Sequence, residues 1–145
     1  SSDLVIREMY PNSDRFQTIR THVVCPPLPD EAPEAMQALT DALLDGRSFI
    51  AMDAWASANG FSFHTDGALA LGLGQEAPWQ PGIRLVAHSP HEAQLTVLRD
   101  GQTIEQRKAC RTLDLPATRP GVYRIEARLG RRPWVYTNPI YLRDA

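Results

Sequence analysis

The sequence is short of lysine, cysteine and long apolar runs, and each shortage closes off a class of function. Among 15 basic residues only Lys108 is lysine, and the other 14 are arginine. They are interspersed with 17 acidic residues for a formal charge of −2, so no basic stripe follows a phosphate backbone and no nucleic acid partner is expected. An arginine-rich surface suits bidentate anion recognition, but GC-rich codon usage gives the same bias without any ligand and is the preferred reading. Two cysteines, Cys25 and Cys110, are too few for a disulfide framework and lack a C-x-x-C spacing, and whether they pair is left open. No apolar run approaches the roughly 18 residues that span a bilayer. Residues 1 to 8 lack the basic-then-apolar order of a secretory signal. The expectation is a soluble chain with no membrane partner and an unassigned compartment.

What is present suffices for a fold. At 145 residues, 43% apolar and 22% charged, the chain has the balance of one ordinary globular domain that needs no metal or disulfide staple. It opens on Ser1-Ser2 rather than Met, which leads us to expect a longer parent protein with a segment upstream. Residues 1 to 24 carry Leu4, Val5, Ile6, Met9, Phe16, Ile19, Val23 and Val24 with no clean period, and Pro11-Asn12 marks a turn. They read as a connecting segment. Pro26, Pro27 and Pro29 then stop any regular element.

Asp30 as N-cap, Pro33 in the first turn, and Met36, Leu39, Ala42 and Leu43 at helical spacing predict a helix over 31–45, closed by Gly46 in a left-handed conformation. Beyond Gly46 the period becomes strand-like. Candidate strands cover residues 47–52, Phe61 to Phe63, residues 68–73, Ile83 to Ala87, Leu95 to Val97, residues 122–129 and residues 134–142. Asp100-Gly101 is a hairpin signal, and Gly130-Arg131-Arg132 is a further turn. This pattern predicts a mainly β chain, an immunoglobulin-like antiparallel β-sandwich of about seven strands with one N-terminal helix. Residues 1–45 would be a connecting segment and helix, and residues 46–145 the sandwich domain.

Candidate chemistry is sparse. The four histidines, His22, His64, His88 and His91, form no H-x-H or H-E-x-x-H set. His88 and His91 flank Ser89-Pro90, which reads as a turn between strands. His64 and Asp66 lie two apart and could polarise one another, but Asp66-Gly67 is more simply a turn. Gly72-Leu73-Gly74 lacks the strand and helix that flank a nucleotide loop. Trp55, Trp79 and Trp134 with the tyrosines could stack sugars on a sheet face, although Tyr123, Trp134, Tyr136 and Tyr141 lie in strand patterns and read as core. No catalytic, metal-binding or cofactor-binding residue is assigned.

The terminal stretch from Pro120-Gly121-Val122-Tyr123 to Trp134-Val135-Tyr136-Thr137-Asn138-Pro139-Ile140-Tyr141-Leu142 resembles the C-terminal end of metal-dependent hydrolases of the polymerase and histidinol phosphatase superfamily. Residues 42–51 and Gly60-Phe61-Ser62-Phe63 resemble the stretch that leaves the catalytic barrel of such proteins and enters an appended β domain. The resemblance implies a catalytic part upstream in the same polypeptide, where His and Asp ligands hold divalent metals that activate water for phosphoester hydrolysis. It carries no catalytic residue onto this chain. Residues 1–45 would then be the last connection and helix of that barrel. A free-standing ligand-binding or carbohydrate-binding sandwich and a structural module of a cell-surface protein remain open alternatives.

Overall fold

The computed structural model describes residues 5–8 and 19–144. Its elements run β1 (Val5–Glu8), β2 (Arg20–Cys25), α1 (Ala32–Leu44), β3 (Ser48–Ala51), β4 (Ser62–Gly67), β5 (Glu76–Pro78), β6 (Ile83–Arg99), β7 (Gln102–Pro116), β8 (Gly121–Leu129), β9 (Arg132–Thr137) and β10 (Ile140–Arg143). The fold is mainly β with one helix, as the change of period after Gly46 predicts, and is consistent with a β-sandwich. The expected turn at Pro11-Asn12 and the apolar positions Leu4, Met9 and Phe16 lie outside the described residues.

Three expectations are corrected. The described strands number ten rather than about seven: the segment read as a connection contributes β1 and β2, β5 and β7 had no candidate strand, and residues 134–142 divide into β9 and β10, while residues 83–99 form one strand in place of two. β2 pairs antiparallel with β3, so Arg20–Cys25 belongs to the same sheet as the strands after Gly46. The sheet is mixed rather than wholly antiparallel, since β10 pairs in parallel with β5 through Tyr141–Glu76 and Leu142–Ala77. Leu69, Leu71 and Leu73 alternate as a strand would, but residues 68–73 form none. The Thr65 hydroxyl donates to the Leu69 carbonyl and accepts the Leu71 N–H, which satisfies groups that a ladder would otherwise pair.

The helix starts one residue later than predicted. Glu31, with extended backbone, is its N-cap in place of Asp30 and makes no side-chain cap bond. Gly46 closes it at φ +72. Gly74 sits against this closure at φ +79, where a Cβ would strike the Asp45 carbonyl oxygen, so only glycine fits. One face of α1 is anchored on β2 by Ala42 against Val23 and Cys25.

Two long strands join the halves of the molecule. Residues 83–88 of β6 lie between β4 and residues 112–116 of β7, whereas residues 94–99 lie between the start of β7 and β8. The register slips between His88 and Ala93. Bulges of this kind bend a strand and re-aim its side chains, and Pro90 stands where the slip leaves no ladder bond for its missing N–H. The β6–β7 turn is the predicted Asp100-Gly101, with both residues at positive φ as a type I′ hairpin requires.

From the second half the sheet continues in the order β8, β9, β3, β2, β1, and β10 adjoins β8 beside β9. One core fills the interior, built from Phe49, Phe63, Leu85, Leu95, Ile125, Trp134 and their neighbours. Tyr123 is buried within it, and its hydroxyl donates to the Arg119 carbonyl at 2.6 Å. That bond, from early in a strand to backbone four residues upstream, has the form of the tyrosine corner of Greek-key sandwiches.

Asn138-Pro139 divides β9 from β10 and ties them to the helix. The Asn138 side-chain amide donates to the Gly46 carbonyl at 3.1 Å and the Ser48 hydroxyl at 2.8 Å. Asn138→Ala leaves the buried Ser48 hydroxyl without this donor, while the Gly46 carbonyl keeps the Ser48 N–H, a loss of about 1–3 kcal/mol. Urea unfolding should show a lower midpoint at unchanged slope.

Candidate functional site

Three of the chain's four histidines fall into two places that one-dimensional spacing does not join. Register sets the first. Because Ser62 pairs with His88 and His64 with Val86, His64 and His88 lie on one face of neighbouring strands. Their rings stack at 6.1 Å between centroids, 25° from parallel. His88 and His91, only three apart, are thrown in different directions by the bulge: His91 instead lies 5.8 Å from the Trp134 ring. The expected turn at Ser89-Pro90 is therefore a bulge inside β6.

The His64–His88 pair borders a cleft of about 670 Å³ lined by Val24, residues 60–65, residues 70–73 and His88. Among the described residues β4 pairs only with β6, so its other edge borders this space. Thr65 directs its N–H away from β6, to the Leu71 carbonyl. By the alternation of antiparallel strands, the N–H and C=O of Phe63 point the same way. Burial holds the His64 imidazolium below its ordinary pKa, the positive charge of His88 adds to this, and Asp66 opposes both. The neutral ring therefore dominates at pH 7. Asp66 itself accepts the Gly67 N–H, as the predicted turn requires.

The second place is buried. His22 Nε2 meets Asp53 Oδ2 at 2.6 Å, with the two side chains 0% and 5% exposed. The other Asp53 oxygen accepts the Ala58 N–H at 2.9 Å. The His22 ring stacks on Phe49 at 4.7 Å and 7°, and its Nδ1 meets no hydrogen-bond partner among the described residues. Burial raises the pKa of the Asp53 carboxyl, but the His22 bond, the Ala58 N–H and the nearby charges of His22 and Arg20 outweigh it and hold it below the usual range. This His–Asp pair, with the His22 ring stacked on Phe49, positions β2 against the loop after β3. Its sequence separation of 31 residues left no motif to find.

The remaining candidates do not converge. No bridge joins Cys25 to Cys110. Trp134 is buried and donates to the Ala56 carbonyl, Trp79 donates to the Ala117 carbonyl, and exposed Trp55 lies under the Arg132 guanidinium at 5.4 Å. The three indoles thus form no common platform. Gly72 and Gly74 lie in the loop against the helix closure. Among the described residues no group of three His, Cys, Asp or Glu is placed to hold a metal ion, and no helix is long and apolar enough to cross a membrane. No protein-family model, curated protein or solved structure matches this chain.

Proposed function

We propose that this chain is the C-terminal β accessory domain of a metal-dependent hydrolase of the polymerase and histidinol phosphatase superfamily, stabilising or shaping access to a catalytic barrel that precedes it. The observation that carries this reading is the uncovered side of α1. The helix turns Ala42 onto the sheet yet leaves Met36 65% and Leu44 81% exposed. Ile19 and Ile50 are also exposed. Leu44 and Ile50 belong to the stretch that the resemblance places at the exit from the barrel, Ile19 and Met36 to the connection and helix it assigns to the barrel's end, and a second domain packed there would take them out of water.

The terminal motif adds support in structural terms, since Trp134, Ile140 and Leu142 are buried in the common core while Asn138 ties that end to the helix closure. Metal-activated water would belong to the barrel, and no step of that chemistry is assigned to the residues here.

The experiment joins this chain to the barrel encoded upstream, whose reading frame should carry a His-x-His strand. The joined protein should hydrolyse an aryl phosphate with manganese or zinc, and the present chain alone should not. Met36→Glu with Leu44→Glu should lower the melting temperature of the joined protein while shifting the stability of this chain alone by no more than about 0.5 kcal/mol, as ordinary surface changes do. Equal effects in both proteins, or a parent gene without such ligands, would reject the reading.

A further inference from the structure

We propose that the cleft beside β4 is a binding site for small amphiphilic organic acids, the carboxylate seated on His64 and His88 and the apolar body lying along Val24, Leu71 and Leu73. Its volume, about 670 Å³, falls in the range of small-molecule sites. Its lining also has their composition, mostly apolar with a few convergent polar groups.

The sign of the ligand follows from what lines the cleft. The only ionisable side chains among the lining residues are the two histidines, so protonation makes the site positive and no carboxylate in the lining competes for that charge. β2 contributes Val24, and the loop after β4 contributes Ala70, Leu71, Gly72 and Leu73, none of them titratable. Of the neighbouring charges, Arg84 on β6 holds Asp114 of β7 at 2.6 Å, and Asp66 on β4, outside the lining, favours the protonated form of His64. Two stacked imidazoles repel when both carry a proton, and an anion bridging them removes that repulsion. The outward N–H of Phe63 offers a further donor at the open edge of β4. The Thr65 hydroxyl does not, being committed to Leu69 and Leu71. Two imidazoles alone also fall short of the three protein ligands a metal centre generally needs, which favours an anion over a cation.

Binding should draw a proton onto the pair, because an anion stabilises the imidazolium. Affinity then rises as pH falls from 8 to 6, by roughly tenfold or more if one proton is taken up. The site belongs to this chain alone and does not depend on attachment to a hydrolase, so the two readings fail separately.

The test is calorimetric titration of the chain with 4-phenylbutyrate and with 4-phenylbutyramide, its uncharged counterpart, at pH 6 and pH 8. We expect one acid bound per chain, tighter at pH 6, with the amide at least about tenfold weaker. The double variant His64→Gln with His88→Gln should lose the preference for the acid, and Ala70→Trp, which fills the cleft from its rim, should lose both ligands. Both variants are checked for an unchanged melting temperature, and an additional titration of the unsubstituted chain with zinc tests the cation directly. Equal affinity for acid and amide, affinity independent of pH, undiminished binding by either folded variant, or uptake of zinc but not of the acid would overturn the proposal.

Discussion

A chain stopped after Arg132 should show no cooperative unfolding transition. β9 lies between β3 and β8, and it is the only described link by which β1, β2 and β3 join the rest of the sheet. Deleting it separates those three strands and α1 from the long β6–β7 hairpin. The deletion also removes Trp134, Val135, Ile140 and Leu142 from the core. Truncation of single residues of these types in a packed interior costs about 2–5 kcal/mol each. Losing four together exceeds the roughly 5–15 kcal/mol that holds an ordinary domain folded. Two freshly opened edges, on β3 and β8, would then template aggregation. Thermal circular dichroism on the truncated and complete chains is the measurement, and a cooperative melt at unchanged temperature would show that these strands are peripheral.

The parts of this fold that were legible in the sequence are those set by local chemistry. The helix is bounded by Pro33 and Gly46, the hairpin at Asp100-Gly101 follows from residues that tolerate positive φ, and the strand after Pro120 begins where alternation resumes. What was not legible depends on register. Pro90 reads as a strand terminator, yet it stands in a bulge where no ladder bond is required, so one strand of 17 residues was divided in two. The Leu69, Leu71 and Leu73 alternation predicts a strand because pattern does not reveal that the Thr65 side chain has captured the backbone of that segment.

The sites follow the same rule. The short-range pairs that spacing suggested, His88 with His91 and His64 with Asp66, are separated by a bulge or drawn into a turn. The His64–His88 and His22–Asp53 pairs are made by strands meeting across the sheet.

Breaking the His22–Asp53 pair should be among the most damaging single substitutions in the molecule. With Asp53→Ala, His22 is left in the core with neither ring nitrogen bonded among the described residues, and the Ala58 N–H loses its acceptor. With His22→Ala, a nearly buried carboxylate loses its partner and Phe49 loses the ring stacked on it. Removing one member of a buried ion pair generally costs about 3–5 kcal/mol, because the other is left uncompensated. Asp53→Asn should cost less, since its side-chain carbonyl can still accept from Ala58.

The acid dependence distinguishes loss of charge from loss of shape. Asp53 has a folded pKa below its unfolded value, which is about 3.9 for an aspartate. Between those two values the unfolded chain binds more protons than the folded one. The stability contributed by the carboxylate is therefore fully present above the unfolded pKa and is lost as pH falls through the folded pKa. Urea midpoints measured from pH 7 down to the acid limit should fall more steeply for the unsubstituted chain than for Asp53→Asn, and the two should converge at the acid end. Parallel curves would mean that the pair acts through packing and its hydrogen bonds alone.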